Sequence, residues 1–267
     1  MNMQQEQAAE IRKTEKRIEK RFRKALTDYQ LIDNGDHVLV ALSGGKDSLL
    51  LLELMARRSR ILVPRFKVSA IHVRMENIEY ESDASILQEF CADLGVNLHI
   101  VTQCFQPVTS SIRKEKSPCF LCSWYRRKAI FDLAQQLGCN KIALGHHQDD
   151  IIHTALMNMI FEGRFSSMPI KLKLCKMPLS IIRPLALQEE ADIIDYASYH
   201  HFPKQRKQCP YEHDTQREKM RILFEQMKSI HHEARYSIWH ALEKEGKLIE
   251  DELISQSDFT GTDEKRH

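Results

Sequence analysis

The feature that most constrains this chain is an apolar run that ends in a glycine pair followed by charged and hydroxyl-bearing residues. Residues 38–48 read VLVALSGGKDS, and a leucine-rich stretch of helical length follows directly. This succession is typical of a buried strand, a tight turn and the N-terminus of a helix. Glycines let backbone N–H groups approach an anion, and the helix dipole favours negative charge at that end. The segment therefore predicts a phosphate-binding loop.

The polar side chains of this turn support the same interpretation. Ser43 and Ser48 supply hydroxyl groups, and Lys46 supplies a positive charge suited to phosphate. The spacing is not that of a Walker A loop. The alternative is an ordinary strand-to-helix connection with a capping serine, but the density of the match favours phosphate binding. Its predicted ligand-binding residues are Ser43, Gly44, Gly45, Lys46, Asp47 and Ser48.

Apolar strands alternate with helical stretches through most of the chain. The predicted strands are at 38–42, 67–73, 97–101, 141–144 and 180–185. One helix begins with the leucine-rich residues 49–54, and further helices are predicted at 83–94, 123–137, 149–161 and 189–200. This alternation predicts an α/β fold, with a Rossmann-like parallel sheet of about five strands and helices on both faces. In such sheets ligands bind beyond the carboxyl ends of the strands. The residues after Leu42 and after Leu144 would both lie there.

Segments outside this alternation give the predicted domain organisation. Residues 1–30 form a basic N-terminal helix, 31–218 the nucleotide-binding domain, and 219–267 a C-terminal helix, predicted over 218–243, with a disordered acidic tail. The N-terminal helix carries basic side chains around an apolar stripe, so it either solvates the surface of the domain or contacts RNA. Residues 162–178 contain a glycine, two prolines and four basic side chains, and are predicted to form a long surface loop.

Charge and cysteine content exclude several classes of protein. The chain has 39 basic and 37 acidic side chains, so nucleic-acid binding would need a local basic surface. The polar N-terminus has no signal-peptide pattern, and no apolar run is long enough to span a membrane. A cytoplasmic location is therefore expected. Seven cysteines in a reducing compartment point to metal or redox chemistry rather than to disulfides.

Three of these cysteines form a second candidate site. Residues 118–122 read PCFLC just before a predicted helix, and Cys209 lies in a similarly polar, turn-like segment. Cys119, Cys122 and Cys209 could hold a [4Fe–4S] cluster with one iron left open, or zinc with a histidine as fourth ligand. The candidate histidines are His146, His147 and His213. The residues alone leave the cluster and the zinc site equally open.

A third motif, LGHHQDD at residues 144–150, lies where a predicted strand ends and a helix begins. Adjacent carboxylates at such a position can cap the helix or coordinate Mg²⁺ on the phosphates of a nucleotide. Capping needs only one of them. Asp149 and Asp150 are therefore predicted to belong to a working site.

Together these motifs resemble the tRNA 2-thiolation branch of the PP-loop ATP pyrophosphatases, and within it most nearly the tRNA-cytidine 2-sulfurtransferase family. The shared segments are SGGKDS at 43–48, PCFLCSWYRR at 118–127, LGHHQDD at 144–150 and IIRPL at 181–185. The resemblance implies an adenine nucleotide alpha hydrolase-like fold. It also implies ATP, Mg²⁺ and a [4Fe–4S] cluster as cofactors, with the cluster held by Cys119, Cys122 and Cys209.

The resemblance further implies a two-step reaction. The C2 oxygen of a pyrimidine in tRNA would attack the α-phosphate of ATP, which residues 43–48 and Gly145 would bind while Mg²⁺ neutralises the departing pyrophosphate. Sulfur from the cluster would then displace AMP. The implied catalytic residues are Asp47, Asp149, Asp150 and Arg126, with Arg127 as the alternative to Arg126.

Departures from the family pattern leave alternatives open. Cytidine enzymes often carry a second C-x-x-C at the third-ligand position, where this chain has Cys209-Pro210-Tyr211-Glu212. The terminal C-x-x-C pairs that are typical of 2-thiouridine enzymes are absent, which favours the cytidine branch. The competing functions are 2-thiouridine or lysidine-type tRNA modification, and a non-catalytic nucleotide- or metal-binding protein.

The expected partners are tRNA and a sulfur donor, either a cysteine desulfurase or sulfide, with no membrane. A homodimer is left open. Basic side chains at 12–24, 164–176 and 204–207 are the predicted RNA-contacting surfaces, because phosphate contacts need lysine or arginine.

Overall fold

A seven-stranded sheet with helices on both faces forms the framework of the computed structural model, which describes residues 3–76, 84–104, 118–174, 177–203 and 215–254. The strands are β1 (His37–Ala41), β2 (Lys67–Met75), β3 (Asn97–Gln103), β4 (Lys141–Ala143), β5 (Lys171–Leu174), β6 (Ser180–Ile182) and β7 (Ile249–Ile254). The helices are α1 (Met3–Asp28), α2 (Lys46–Ser59), α3 (Ser85–Leu94), α4 (Pro118–Gln136), α5 (Gln148–Phe161), α6 (Glu190–Tyr199), α7 (Thr215–Ile230) and α8 (Ala234–Lys244).

The five strands that the apolar runs predict lie side by side and run parallel. The order along the sheet is β3-β2-β1-β4-β6-β5-β7. β1 pairs with β2 on one side and with β4 on the other, and β3 and β6 continue the sheet outward. The chain order reverses between β1 and β4, which is where open α/β sheets bind their ligands. The predicted α/β class with a Rossmann-like parallel sheet is confirmed.

The sheet has two more strands than expected, both at one edge. β5 lies within 162–178, which the composition predicts as a long surface loop, and it runs antiparallel to β6. That prediction is wrong for 171–174, where Leu172 and Leu174 are buried and Lys173 is exposed. β7 pairs with β5 in a C-terminal region for which only a helix and a tail are predicted. Residues 255–267, predicted as disordered, lie outside the described residues.

Two hydrophobic cores cover the two faces of the sheet. One face packs against α1, α2, α5 and α6, with Phe22, Leu50 and Tyr196 among its buried side chains. The other face packs against α4, where Leu39 and Ile142 of the strands are buried. Burial on both faces explains why the central strands read as continuous apolar runs.

The helices mostly begin and end near their predicted bounds. α3 ends just before Gly95, which adopts the left-handed conformation (φ 70°) that glycine favours at a helix C-terminus. The helix predicted over 218–243 is interrupted at 231–233 and forms α7 and α8 instead. α4 begins at Pro118, so the C-x-x-C segment belongs to its first turns. None of the helices among the described residues is both long and apolar enough to cross a membrane.

Candidate functional site

The loop after β1 is folded around the side chain of Ser48. The Ser48 hydroxyl accepts hydrogen bonds from the N–H groups of Ser43 and Gly44, each at 3.2 Å, and donates to the Gly45 carbonyl at 2.9 Å. Gly44 has a φ of 87°, a conformation that favours glycine. The serine therefore fixes the turn from within. The first N–H groups of α2 have no acceptor in their own helix, so they can bind an anion.

The loop after β4 packs directly against this turn. A Cβ atom at Gly145 would lie 3.2 Å from the carbonyl carbon of Asp47 and from the backbone nitrogen of Ser48. Glycine is required for so close an approach of two backbones. The pairing of β1 with β4 brings the two loops to the same edge of the sheet, as the parallel arrangement predicts.

Lys46 lies between two carboxylates. Its Nζ is 3.2 Å from Asp47 Oδ1 and 3.0 Å from Oε1 of Glu190, the first residue of α6. Burial opposes the charge on Lys46, but Asp47 and Glu190 outweigh that effect and raise its pKa. The lysine is therefore fully charged at neutral pH. Glu190 is a site residue that the motifs do not predict, since it reaches Lys46 from 144 residues further along the chain.

Asp149 is buried and fully engaged with the protein. Its Oδ1 accepts a hydrogen bond from Arg235 at 2.7 Å, and its Oδ2 accepts one from the N–H of Glu190 at 2.9 Å. Burial raises the pKa of Asp149, but Arg235, the Glu190 N–H and His147 together outweigh it, so the net pKa is lowered. Asp149 is therefore ionised, and its carboxylate links the first turn of α5 to the first turns of α6 and α8.

His146 and His147 lie in the turn before α5, and Asp150 lies in the first turn of that helix. Oδ2 of Asp150 accepts the N–H of His147 at 3.1 Å, as in a capping box, and lies 3.4 Å from Nε2 of His147. His146 accepts a hydrogen bond from Nε of Arg183 at 3.1 Å. Burial and the charge of Arg183 lower the pKa of His146 to about 4, so this ring is neutral at physiological pH.

The predicted carboxylates differ in their access to a ligand. The side chains of Asp47 and Asp150 are 29% and 26% exposed, whereas that of Asp149 is 9% exposed and both its oxygens are bonded. Asp47 and Asp150 are thus the better placed to coordinate a metal ion on a bound nucleotide. The catalytic role of each of the three stays a prediction.

The predicted cluster ligands are only partly within the described residues. Cys122 is half-buried on α4, and Cys119 is the second residue of the same helix. The side chain of Cys119 and the whole of Cys209 and His213 lie outside the described residues. Where the structure is described, no three His, Cys, Asp or Glu side chains are grouped to hold a metal ion.

The local setting of the C-x-x-C segment suits thiolate ligands. A spacing of three residues brings two positions of a helix to the same face. Thiolates are favoured in the first turn of a helix by its dipole. The donor chemistry therefore fits an iron–sulfur cluster. Arg126 and Arg127 follow on the same helix, and burial lowers the pKa of Arg127, whose Nε donates to the Ser123 carbonyl at 3.2 Å.

Comparison with known proteins supplies the context for this geometry. Residues 14–242 match the PP-loop domain family ATP_bind_3. A tRNA-cytidine(32) 2-sulfurtransferase from Shewanella denitrificans is 39% identical over 204 residues, which is 74% of this chain and 61% of that protein. One of the same name from Dechloromonas aromatica is 38% identical over 219 residues, covering 81% of this chain and 75% of that protein. The chain thus spans only about three fifths of the length of several such relatives, 61% and 62% in two cases.

A solved structure shares the fold over most of both chains. It is the U34-tRNA thiolase NcsA from Methanococcus maripaludis with its [4Fe-4S] cluster, which superposes with a TM-score of 0.70 at 26% sequence identity. The superposition covers 90% of this chain and 80% of that one.

Proposed function

This chain belongs to the PP-loop family, in the branch of the tRNA-cytidine(32) 2-sulfurtransferases, and we propose that it catalyses the ATP-dependent 2-thiolation of a cytidine in tRNA. The observation that carries the proposal is the packing of two loops at one edge of the sheet, beside the N-terminus of α2. Lys46 lies next to Asp47, and Nε2 of His147 lies 3.9 Å from Asp47 Oδ1 and 3.4 Å from Asp150 Oδ2. Such a site combines anion-binding N–H groups, a cation and accessible carboxylates.

In the proposed first step the site holds ATP by its phosphates. The first N–H groups of α2 and the Lys46 ammonium would bind phosphate oxygens and stabilise the charge that develops as the pyrophosphate departs. Mg²⁺, held by Asp47 and Asp150 with phosphate oxygens, would neutralise that charge further. The C2 oxygen of cytidine forms a bond to the α-phosphorus, and the bond between that phosphorus and the bridging oxygen breaks. The products are an adenylated base and pyrophosphate.

In the proposed second step sulfur replaces the activated oxygen and AMP leaves. A [4Fe–4S] cluster held by Cys119, Cys122 and Cys209 would supply the sulfur in this chemistry. Support comes from the fit of the C-x-x-C segment to a thiolate site in the first turns of α4, and from the cluster named for the thiolase of similar fold. A cysteine desulfurase or free sulfide in the cytoplasm would replenish the sulfur.

The tRNA would contact basic side chains that the fold leaves exposed. On α1 these are Arg12, Lys13, Lys16, Lys20, Arg23 and Lys24. The two remaining basic residues, Arg17 and Arg21, are half-buried and bind the acidic first turn of α6. The basic residues of α1 thus have two roles. Arg17 and Arg21 dock the helix on the domain, and the exposed basic residues are available to bind phosphates. The predicted basic run at 204–207 lies outside the described residues.

Mass spectrometry of tRNA nucleosides tests the proposal. The anaerobically purified protein, with tRNA, ATP, Mg²⁺ and sulfide, should release pyrophosphate and form 2-thiocytidine, and Lys46→Ala should abolish both. Absence of pyrophosphate release with every tRNA tested would instead support a non-catalytic nucleotide-binding protein. Digests of tRNA from cells lacking the protein should show loss of the same nucleoside.

The second candidate is 2-thiouridine formation, which the similarity to a U34-tRNA thiolase favours. The same digests separate the two candidates, because 2-thiocytidine and 2-thiouridine differ in mass. A lysidine-type reaction would need no sulfur. It would therefore be indicated if Cys122→Ala left tRNA modification intact.

A further inference from the structure

Arg235 occupies a position that is unfavourable for a cation. It lies in the first turn of α8, where the helix dipole opposes positive charge, and it is only 8% exposed. Burying a guanidinium group is costly unless it is paired and hydrogen-bonded. Specific partners must therefore offset both costs, and those partners indicate what the residue does.

All parts of the Arg235 guanidinium face partners near the nucleotide site. Its two terminal nitrogens donate to Asp149 Oδ1 at 2.7 Å and to Gln148 Oε1 at 3.2 Å. Its Nε lies 3.5 Å from Oε2 of Glu189, and the group stacks over the ring of Phe224 at 5.1 Å. The planar fork of arginine can bond two acceptors at once in this way, whereas a lysine ammonium cannot reproduce that geometry.

These contacts connect α8 to the phosphate-binding lysine. Asp149, held by Arg235 on one oxygen, accepts the backbone N–H of Glu190 on the other. The carboxylate of Glu190 in turn lies 3.0 Å from Nζ of Lys46. Arg235 is therefore connected to Lys46 through two intermediate residues, Asp149 and Glu190.

We propose that Arg235 is a positioning residue of the nucleotide site. By holding Gln148 and Asp149 it fixes the first turn of α5, and through Glu190 it fixes the orientation of Lys46. The proposal rests on the proposed function for the identity of the ligand, ATP. It makes the C-terminal helix part of a site whose phosphate-binding residues lie near the other end of the chain.

Nucleotide affinity of matched arginine variants tests this role. We would measure the binding of α,β-methylene-ATP by titration calorimetry to the full chain, to Arg235→Ala, to Arg235→Lys and to Arg60→Ala. Arg235→Ala should bind about tenfold more weakly, the size expected for the loss of a charge-assisted hydrogen bond. Arg235→Lys should recover part of that loss. Arg60, an exposed residue at the C-terminal end of α2 that donates to the Leu94 carbonyl at 3.0 Å, should be replaceable without effect.

Guanidinium rescue separates positioning from general packing. Millimolar guanidinium should restore affinity to Arg235→Ala and should not change the affinity of the wild type or of Arg60→Ala. If Arg235→Ala does not fold, Arg235→Lys decides the question, and wild-type affinity in that folded variant would overturn the proposal. Wild-type affinity in folded Arg235→Ala would overturn it as well. A wild-type chain that binds no α,β-methylene-ATP would instead refute the proposed function.

Discussion

At the scale of single residues, the site depends on how closely two loops approach each other. The Cβ of Gly145→Ala would lie 3.2 Å from two backbone atoms of the loop after β1. Backbone cannot move aside as a flexible side chain can, so we expect this variant to lower the free energy of unfolding by about 1–3 kcal/mol. At Gly45 the added Cβ would lie 3.6 Å from the nearest atom, an ordinary contact.

Urea unfolding followed by circular dichroism checks this difference. Gly45→Ala, which changes a helix N-cap without steric conflict, should cost less than about 1 kcal/mol. Equal costs for the two substitutions would mean that the contact between the loops is not tight in solution.

His37, a half-buried histidine at the amino end of the central strand β1, gives a pH-dependent prediction. Burial lowers the pKa of His37 from its ordinary value of 6.5, and its Nε2 lies 2.9 Å from Oγ of Ser69. As the pH falls below 6.5, the unfolded chain binds more protons at this position than the folded chain does. The free energy of unfolding therefore falls as the solution becomes acidic. This decrease should be smaller in His37→Gln than in the wild type.

Free energies of unfolding at pH 7 and pH 5 measure this effect. Other histidines with lowered pKa values, including His153, should leave a residual decline in the variant. An identical decline in wild type and His37→Gln would show that His37 is equally easy to protonate in both states.

The residues of the site differ in how well the sequence predicts them. Ser43 to Ser48 form one local motif, and local motifs predict local geometry. Glu190 and Arg235 carry no such signal, because each reaches the site from a helix that the sheet topology brings there. Asp149 is an intermediate case. Its position at the site is predicted from the motif, but its ion pair with Arg235 is not, because no residue near Asp149 in the sequence indicates that partner.

At the scale of elements, α1 is docked by two arginines rather than by its apolar stripe alone. Arg21 donates to Glu189 at 2.5 Å and to Asp192 at 2.6 Å, and these groups are largely withdrawn from solvent. Removing one partner of such a pair leaves carboxylates without their counter-charge, so Arg21→Ala should cost about 1–3 kcal/mol of stability. Lys24→Ala, which breaks an exposed i,i+4 pair with Asp28, should cost no more than about 0.5 kcal/mol.

Thermal unfolding of both variants, together with tRNA binding, distinguishes the two sides of α1. Arg21→Ala should unfold at a lower temperature, whereas charge reversal at Lys16 and Lys20 should weaken tRNA binding with little change in stability. If reversal at those two lysines left tRNA affinity unchanged, α1 would be a docking helix only.

The elements also show why an edge strand is harder to predict than a central one. β1 and β2 are covered on both faces and are recognisable as apolar runs. β5 has only Leu172 and Leu174 to mark it, within a segment of high basic content, and its pairing with β6 and β7 depends on residues elsewhere in the chain. Four residues are too few for a period of two to stand out from loop composition.

At the scale of the whole molecule, the parallel sheet places the first turns of α2, α4, α5 and α6 at its carboxyl edge, since each of these helices follows a strand of the parallel part. Helix N-termini favour anions and thiolates alike. The same architecture can therefore serve both halves of the proposed reaction, with phosphates at α2 and thiolates at α4. The two halves use different helices, which makes them separable by mutation.

Cys122→Ala should remove the sulfur chemistry and leave nucleotide binding in place. We expect the anaerobically purified variant to lose its iron and to form no 2-thiocytidine. Its affinity for α,β-methylene-ATP should stay within about twofold of wild type, because the contacts of Lys46 among the described residues do not include α4. Cys139→Ala is the matched control: that side chain is buried in the hydrophobic core with Leu39 and Ile142, where burial raises the pKa of its thiol to about 11. Its removal should leave the iron content unchanged. Iron and zinc counted per chain decide the metal. A wild-type chain with zinc and no iron would contradict the cluster, and loss of nucleotide affinity in Cys122→Ala would show that the two halves of the site are coupled through the sheet.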